Sequence, residues 1–198
     1  MSAQGNDETA SRAAAEERRA AAFARIRQWG DPVLRTPART VEDFDDALRR
    51  QAAEMVALME DANGVGLAAP QLGLTNRVLV YQHTIDVPPR ALVNPWVEEA
   101  SEDTVRGLEG CLSLGRARVY VPVDRARAVV VRGFDPDGEE VRIEAEDHHA
   151  RVLQHEIDHL DGILMLGRTD REERKAAVHA LRDGRGYAPE WPPEGDDA

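Results

Sequence analysis

Residues 153–162, LQHEIDHLDG, decide how the rest of the chain is read. They contain H-E-x-x-H as His155, Glu156 and His159. On a helix, positions i and i+4 lie about one turn apart on one face, so both imidazoles can point at one cation. Glu156 projects beside them, within reach of a water at that cation, as a general base would. The plain alternative is a solvated surface helix that carries two histidines by chance. Against it, Ala150, Leu153, Ile157 and Leu160 recur at i, i+3, i+7 and i+10 as an apolar stripe. Val152 lies one turn before His155, on the cation-facing side. A helix that is apolar on more than one face is a buried one, and buried imidazoles need partners.

The chain has 198 residues, which suggests one domain with tails. Hydrophobic residues make up 42%, enough for a core, but aromatics only 5%, so that core is aliphatic. A net charge of −12 disfavours binding to a phosphate backbone as the main activity. The single cysteine, Cys111, excludes a disulfide within the chain and fits a reducing compartment. No stretch approaches the length of a membrane span. The first residues lack a secretory apolar region and carry Asp7, Glu8, Glu16 and Glu17, which argues against a transit peptide. These features predict a cytoplasmic protein.

Residues 1–22 read as a tail, flexible or transiently helical, because Ala is abundant and large apolar residues are absent. The folded part is expected to begin near Phe23 and Ile26. Residues 41–62 read as the first long helix, with Phe44, Leu48, Ala52, Met55 and Met59 on one face and Asn63 and Gly64 ending it. Residues 64–73, GVGLAAPQLG, are small and mostly uncharged. They read equally as a close-packed connection or as a loop whose backbone N–H groups touch a ligand; the phosphate-loop spacing is missing. Strands are predicted over 77–81, 91–93, 104–108, 117–121, 126–133 and 141–145. The turn signal DPDG at 135–138 joins the last two as a hairpin. A helix follows over 146–160, and Asp170 can cap a last helix over 171–182. Residues 184–198, acidic and Pro-containing, read as a flexible tail. The fold class is therefore α+β: short antiparallel strands packed around a central H-E-x-x-H helix, with an N-terminal and a C-terminal helix.

Two histidines leave a hydrolytic cation short of a third protein ligand. A third His further along the helix fails, because position 165 is Met165. Glu172 and Glu173 fit better as the acidic first turn of a helix. Cys111 follows Gly110 after a strand-like run, and its thiolate is a strong ligand for a divalent transition metal. A lone cysteine is more often a small buried hydrophobe, so the residues alone leave the choice open.

Three segments together carry a family resemblance. GVGLAAPQ at 64–71, EGCLS at 109–113 and QHEIDH at 154–159 resemble the three motifs of peptide deformylases, in order and spacing. WGDPVLR at 29–35, LVNP at 92–95 and LDGIL at 160–164 add to the likeness, which covers residues 23–183; the RTDR ending resembles actinobacterial members. The resemblance implies a metal-dependent hydrolase that removes the N-formyl group from the formylmethionine of newly made proteins. It implies Cys111, His155 and His159 as ligands of one divalent ion, with Fe²⁺ favoured and Zn²⁺, Ni²⁺ or Co²⁺ accepted. It implies Glu156 as acid and base, and the Gln71 side chain and Leu112 N–H as donors to the oxyanion. Val65, Gly66 and Gly110 resemble the backbone that holds the peptide, and Arg118 and Val152 fall where the family lines its methionine pocket. Asp158 is expected to orient a neighbour. The implied partner is a formylmethionyl nascent peptide near the ribosome exit, with no nucleic acid read and no membrane bound.

Two departures stand out. Gly115 replaces a common proline, and Val123 lies where the family often has an arginine, a charge that Arg125 or Arg127 could supply. Two other functions remain to be separated from this one. A metallopeptidase would digest casein, and a non-catalytic formyl-peptide binder would retain peptide without releasing formate.

Overall fold

Local sequence sets most boundaries in the computed structural model, which describes residues 3–84, 86–115 and 118–191. Helix α2 (Asp46–Asp61) starts where the Asp45 side chain accepts from Leu48 N–H. Residues 41–45, expected inside this helix, are not helical: Val41 N–H donates instead to the Asn94 side chain. Asn63 then turns the chain at φ 56°, a conformation Asn tolerates.

The strands are β1 (Gly66–Ala68), β2 (Val78–Tyr81), β3 (Arg90–Ala100), β4 (Thr104–Gly110), β5 (Tyr120–Ala126), β6 (Ala128–Phe134) and β7 (Glu140–Glu146). A five-stranded sheet runs β1-β2-β3-β6-β7 and a two-stranded one pairs β4 with β5; every pairing is antiparallel. The fold is α+β, as expected. The 135–138 turn joins β6 to β7, with Gly138 at φ 89°. Strand β3 outruns its expected three residues because two bulges, one around Pro95, carry it on past Val93. Of the strand expected over 117–121, Ala117 lies outside the described residues; β5 begins at Tyr120 and continues through Pro122 to Ala126. Pro122 is tolerated because this ribbon has only edge strands.

Helix α3 (Asp147–Leu160) follows β7 directly and carries the H-E-x-x-H residues. Ala150, Leu153, Ile157 and Leu160 pack on Leu79, Leu92, Val129 and Val131 of the large sheet. Helix α4 (Arg171–Arg182) begins at Asp170, whose side chain accepts from Glu173 N–H.

Both ends differ from expectation. Helix α1 spans Ala3–Arg25, where a flexible or transiently helical tail was expected. Its last turns dock on α2: Ala22 is 2% exposed, and Ala22, Phe23 and Ile26 join the core that contains Met55 and Met59. Ion pairs from Arg18 to Asp61 and from Arg25 to Glu54 run along the same contact. The tail expected from Gly184 is held at Tyr187, which pairs with Val119 and donates its hydroxyl to Glu173 at 2.6 Å.

Candidate metal centre

Three elements bring the expected ligands together. Strand β4 ends at Gly110, and Cys111 follows it as the cap of a 3-10 turn over Leu112–Leu114. Helix α3 presents His155 and His159, whose rings lie 5.0 Å apart between centroids. Cys111 Sγ is 3.2 Å from His159 Nε2, and one ligand atom from each of the three residues lies within 4.8 Å of the others. Donors to one ion sit about 2.0–2.3 Å from it, so a bound pair spans at most about twice that. Side-chain adjustments alone would close this cluster on a cation. One thiolate and two imidazoles suit a divalent transition metal and leave a fourth position open.

The surroundings orient these donors. His155 Nδ1 is 2.9 Å from Glu109 Oε2. A proton on Nδ1 donated to that carboxylate leaves the Nε2 lone pair for the cation. Burial alone would raise the Glu109 carboxyl, but hydrogen bonds from His155 and Arg125, with their charges, hold it well below the usual carboxylate range. Arg125, 5% exposed, donates to Glu109 at 2.8 and 3.0 Å and to Asp158 at 2.5 Å. Arg168 closes on the other side of Asp158, and Arg151 donates to Glu109 at 2.9 Å. Of the two arginines that could supply the charge missing at Val123, Arg125 is the one turned inward. Arg127 lies on the surface, paired with Asp103 and Asp147.

Glu156 is 4% exposed, and burial pushes its carboxyl up to about 7. Its Oε2 has no hydrogen-bond partner among the described residues. Gly66 in β1 is pressed against it: a Cβ there would collide with Glu156 Oε1. The Gln71 side chain is fixed by Ala68 N–H, which donates to its Oε1 at 2.8 Å. Its Nε2 therefore faces Ser113 Oγ at 3.3 Å and Cys111 Sγ at 3.7 Å. Leu112 occupies the first position of its 3-10 turn, where an N–H has no partner within the turn.

A cleft of about 470 Å³ opens over this cluster. Its lining includes every other expected site residue: Val65, Gly66, Gly110, Leu112, Arg118 and Val152. Gly115 has φ 88°, which proline cannot adopt. Sequence reasoning assigned no role to Glu109, Ser113, Arg151 or Arg168, and did not place Arg19 and Phe23 of α1 in the cleft wall. One signal was available: Val121, Val123 and Arg125 alternate along β5 onto one inward face, and a guanidinium there requires buried carboxylates.

The fold and the site together define a hydrolase whose cleft is built over a cluster that could hold a cation. A family model described as polypeptide deformylase matches residues 23–175. The peptide deformylase of Acidothermus cellulolyticus is 49% identical over 80% of this chain and 85% of its own length; that of Parafrankia is 44% identical over the same shares. The crystal structure of the peptide deformylase from Thermus thermophilus superposes with a TM-score of 0.75 at 43% identity, covering 81% of this chain and 93% of that one. A Synechococcus elongatus peptide deformylase in complex with actinonin gives 0.74 at 37%, over 81% and 87%. The chain belongs to the polypeptide deformylase family and is an enzyme of that class.

Proposed function

We propose that this enzyme removes the N-formyl group from the N-terminal formylmethionine of newly made proteins and releases formate. The observation that carries the reading is the buried Glu156, with an unpartnered oxygen, beside three metal-type donors. Residues 23–183 form the catalytic unit, flanked by 1–22 and 184–198, with the H-E-x-x-H helix at its centre. The cytoplasm, near the ribosome exit, is the compartment that fits a free thiol used as a ligand. No described helix is long and apolar enough to cross a membrane.

Cys111, His155 and His159 would hold the ion, with Fe²⁺ favoured over Zn²⁺, Ni²⁺ and Co²⁺. When bound, such an ion lowers the pKa of water and polarises a carbonyl oxygen. The protein residues do the rest. Glu156 takes a proton from the attacking water and returns it to the leaving amine, a role its position beside the candidate ligands supports. The formyl oxygen becomes negative in the tetrahedral intermediate and accepts from Gln71 Nε2 and Leu112 N–H, where loss of one such donor costs about 3 kcal/mol. Val65, Gly66 and Gly110 offer backbone to an extended peptide. Val152 and the stem of Arg118 line the space for the methionine side chain.

The test is formate release from formyl-Met peptides by iron-loaded protein prepared without oxygen. Glu156→Ala should lower kcat by about 10²–10⁴-fold while the metal content measured by elemental analysis stays the same. Wild-type turnover in that variant would remove Glu156 from the mechanism.

A further inference from the structure

Helix α1 lies almost wholly before the family-matched residues 23–175, yet it forms part of the cleft wall. Glu16, Arg19, Ala20 and Phe23 recur at i, i+3, i+4 and i+7, a single helical face. That face borders a second cavity of about 300 Å³, closed on the far side by Gly115 and Arg118. The two cavities share Arg19, Phe23, Gly115 and Arg118, so they adjoin, and the second extends the channel of the cleft on its α1 side.

The net charge is −12, and most arginines are paired, as Arg18 is with Asp61 and Arg25 with Glu54. Arg19 and Arg118 make no ion pair among the described residues; Arg19 instead lies over the Phe23 ring at 5.6 Å. Of the lining carboxylates, Glu109 is engaged by Arg125 and Arg151, Glu156 sits at the reaction end, and Glu16 lies in the outer cavity alone. Two guanidiniums without an ion pair among the described residues thus line the part that the two cavities share.

Resting on the deformylase reading above, we propose that α1 adds an outer subsite to the cleft. There Arg19 and Arg118 select formylated peptides with acidic residues directly after the methionine. Successive side chains of an extended peptide point to opposite sides, so one residue meets the α1 wall and the next meets the Arg118 wall. The preferred substrate carries consecutive Asp or Glu within its second to fourth positions. Long-range repulsion from the acidic surface is screened beyond about 8 Å at physiological salt, which leaves the local guanidiniums to decide.

The test compares formyl-Met-Glu-Glu-Ser, formyl-Met-Gln-Gln-Ser and formyl-Met-Lys-Lys-Ser on the iron-loaded, full-length protein. Each exposed charge pair contributes modestly, so kcat/KM should favour the acidic over the basic peptide by about three- to tenfold at 0.15 M salt and less at 1 M. Arg19→Glu should bring that ratio to unity or below, and Arg118→Gln should reduce it. Arg171→Glu makes the same charge change on exposed α4 and should leave it alone. Dissociation constants for the unformylated product peptides, read by fluorescence anisotropy, should follow the same order. Equal constants for acidic and basic peptides, or an Arg171→Glu shift as large as that of Arg19→Glu, would overturn the subsite. No formate from any peptide, with the binding order intact, would instead sink the deformylase reading and leave the subsite standing.

Discussion

One side of α3 presents Ala150, Leu153, Ile157 and Leu160 to the large sheet; elsewhere its buried surface presents Glu156 to Gly66 of β1, Asp158 to Arg125 of β5 and His159 to Cys111. Both sets are almost fully buried. They differ in what burial requires of them. The apolar side is held by many small contacts, none of which depends on a single partner. The polar side is a chain of named partners: Cys111 against His159, His155 on Glu109, Glu109 on Arg125, Arg125 on Asp158, Asp158 on Arg168. Removing a methylene from the first side leaves a void; removing a link from the second strands a charge.

That contrast predicts its largest break at Arg125. Arg125→Leu leaves the buried Glu109 and Asp158 with only part of their compensation, a change that typically costs about 3–5 kcal/mol. It also frees Glu109 from the geometry that orients His155, so metal affinity should fall by about 10–100-fold. Denaturant unfolding and a competitive chelator titration measure the two effects. If stability and affinity both stay at wild-type levels, the charged chain is not what holds this side of the helix. Leu153→Ala sharpens the comparison from the apolar side. It should cost about 2–5 kcal/mol, depending on how far the sheet relaxes, and leave metal affinity unchanged once the protein is folded. A loss of affinity equal to that of Arg125→Leu would show that the two sides are not separable.

The same contrast explains what the sequence made legible. Periodicity exposed the apolar side of α3, the DPDG turn the hairpin of β6 and β7, and capping chemistry the Asp170 start of α4, because each is written within a few consecutive residues. The H-E-x-x-H spacing exposed two candidate ligands for the same reason. The polar partners are not local: Glu109 reaches His155 across 46 residues and Arg125 reaches Asp158 across 33. Cys111 as a candidate third donor came from the resemblance, not from any spacing rule. Strand β1 was missed because Gly66, Leu67 and Ala68 are three buried residues with no alternation to read. Helix α1 was underrated because alanine can bury as little as one methyl; Ala22 docks on α2 without the large apolar stripe that marks an anchored helix.

A third, smaller effect lies at the N-terminal end of α3, where the two kinds of burial meet. His149 stacks on His83 at 4.1 Å and on Tyr81 at 5.5 Å between ring centroids, and its Nε2 is buried without a partner among the described residues. Burial, with the nearby His83, His148 and Arg90, pushes its pKa down to about 4 from the ordinary 6.5. The unfolded chain therefore binds this proton more readily than the folded one between those values. Its contribution to stability is complete above about pH 6.5 and is lost as pH falls towards 4. His149→Phe keeps the stacking and removes the proton site. Between pH 7 and pH 5 the melting temperature should then fall less in the variant than in the wild type, by on the order of 2–4 °C, since the ring is only half-buried. The groups facing it, His83, His148 and Arg90, are common to both proteins, so the difference between the two pH profiles isolates His149. Parallel profiles would mean that folding leaves the pKa of this ring unchanged, so that its burial carries no proton-linked cost.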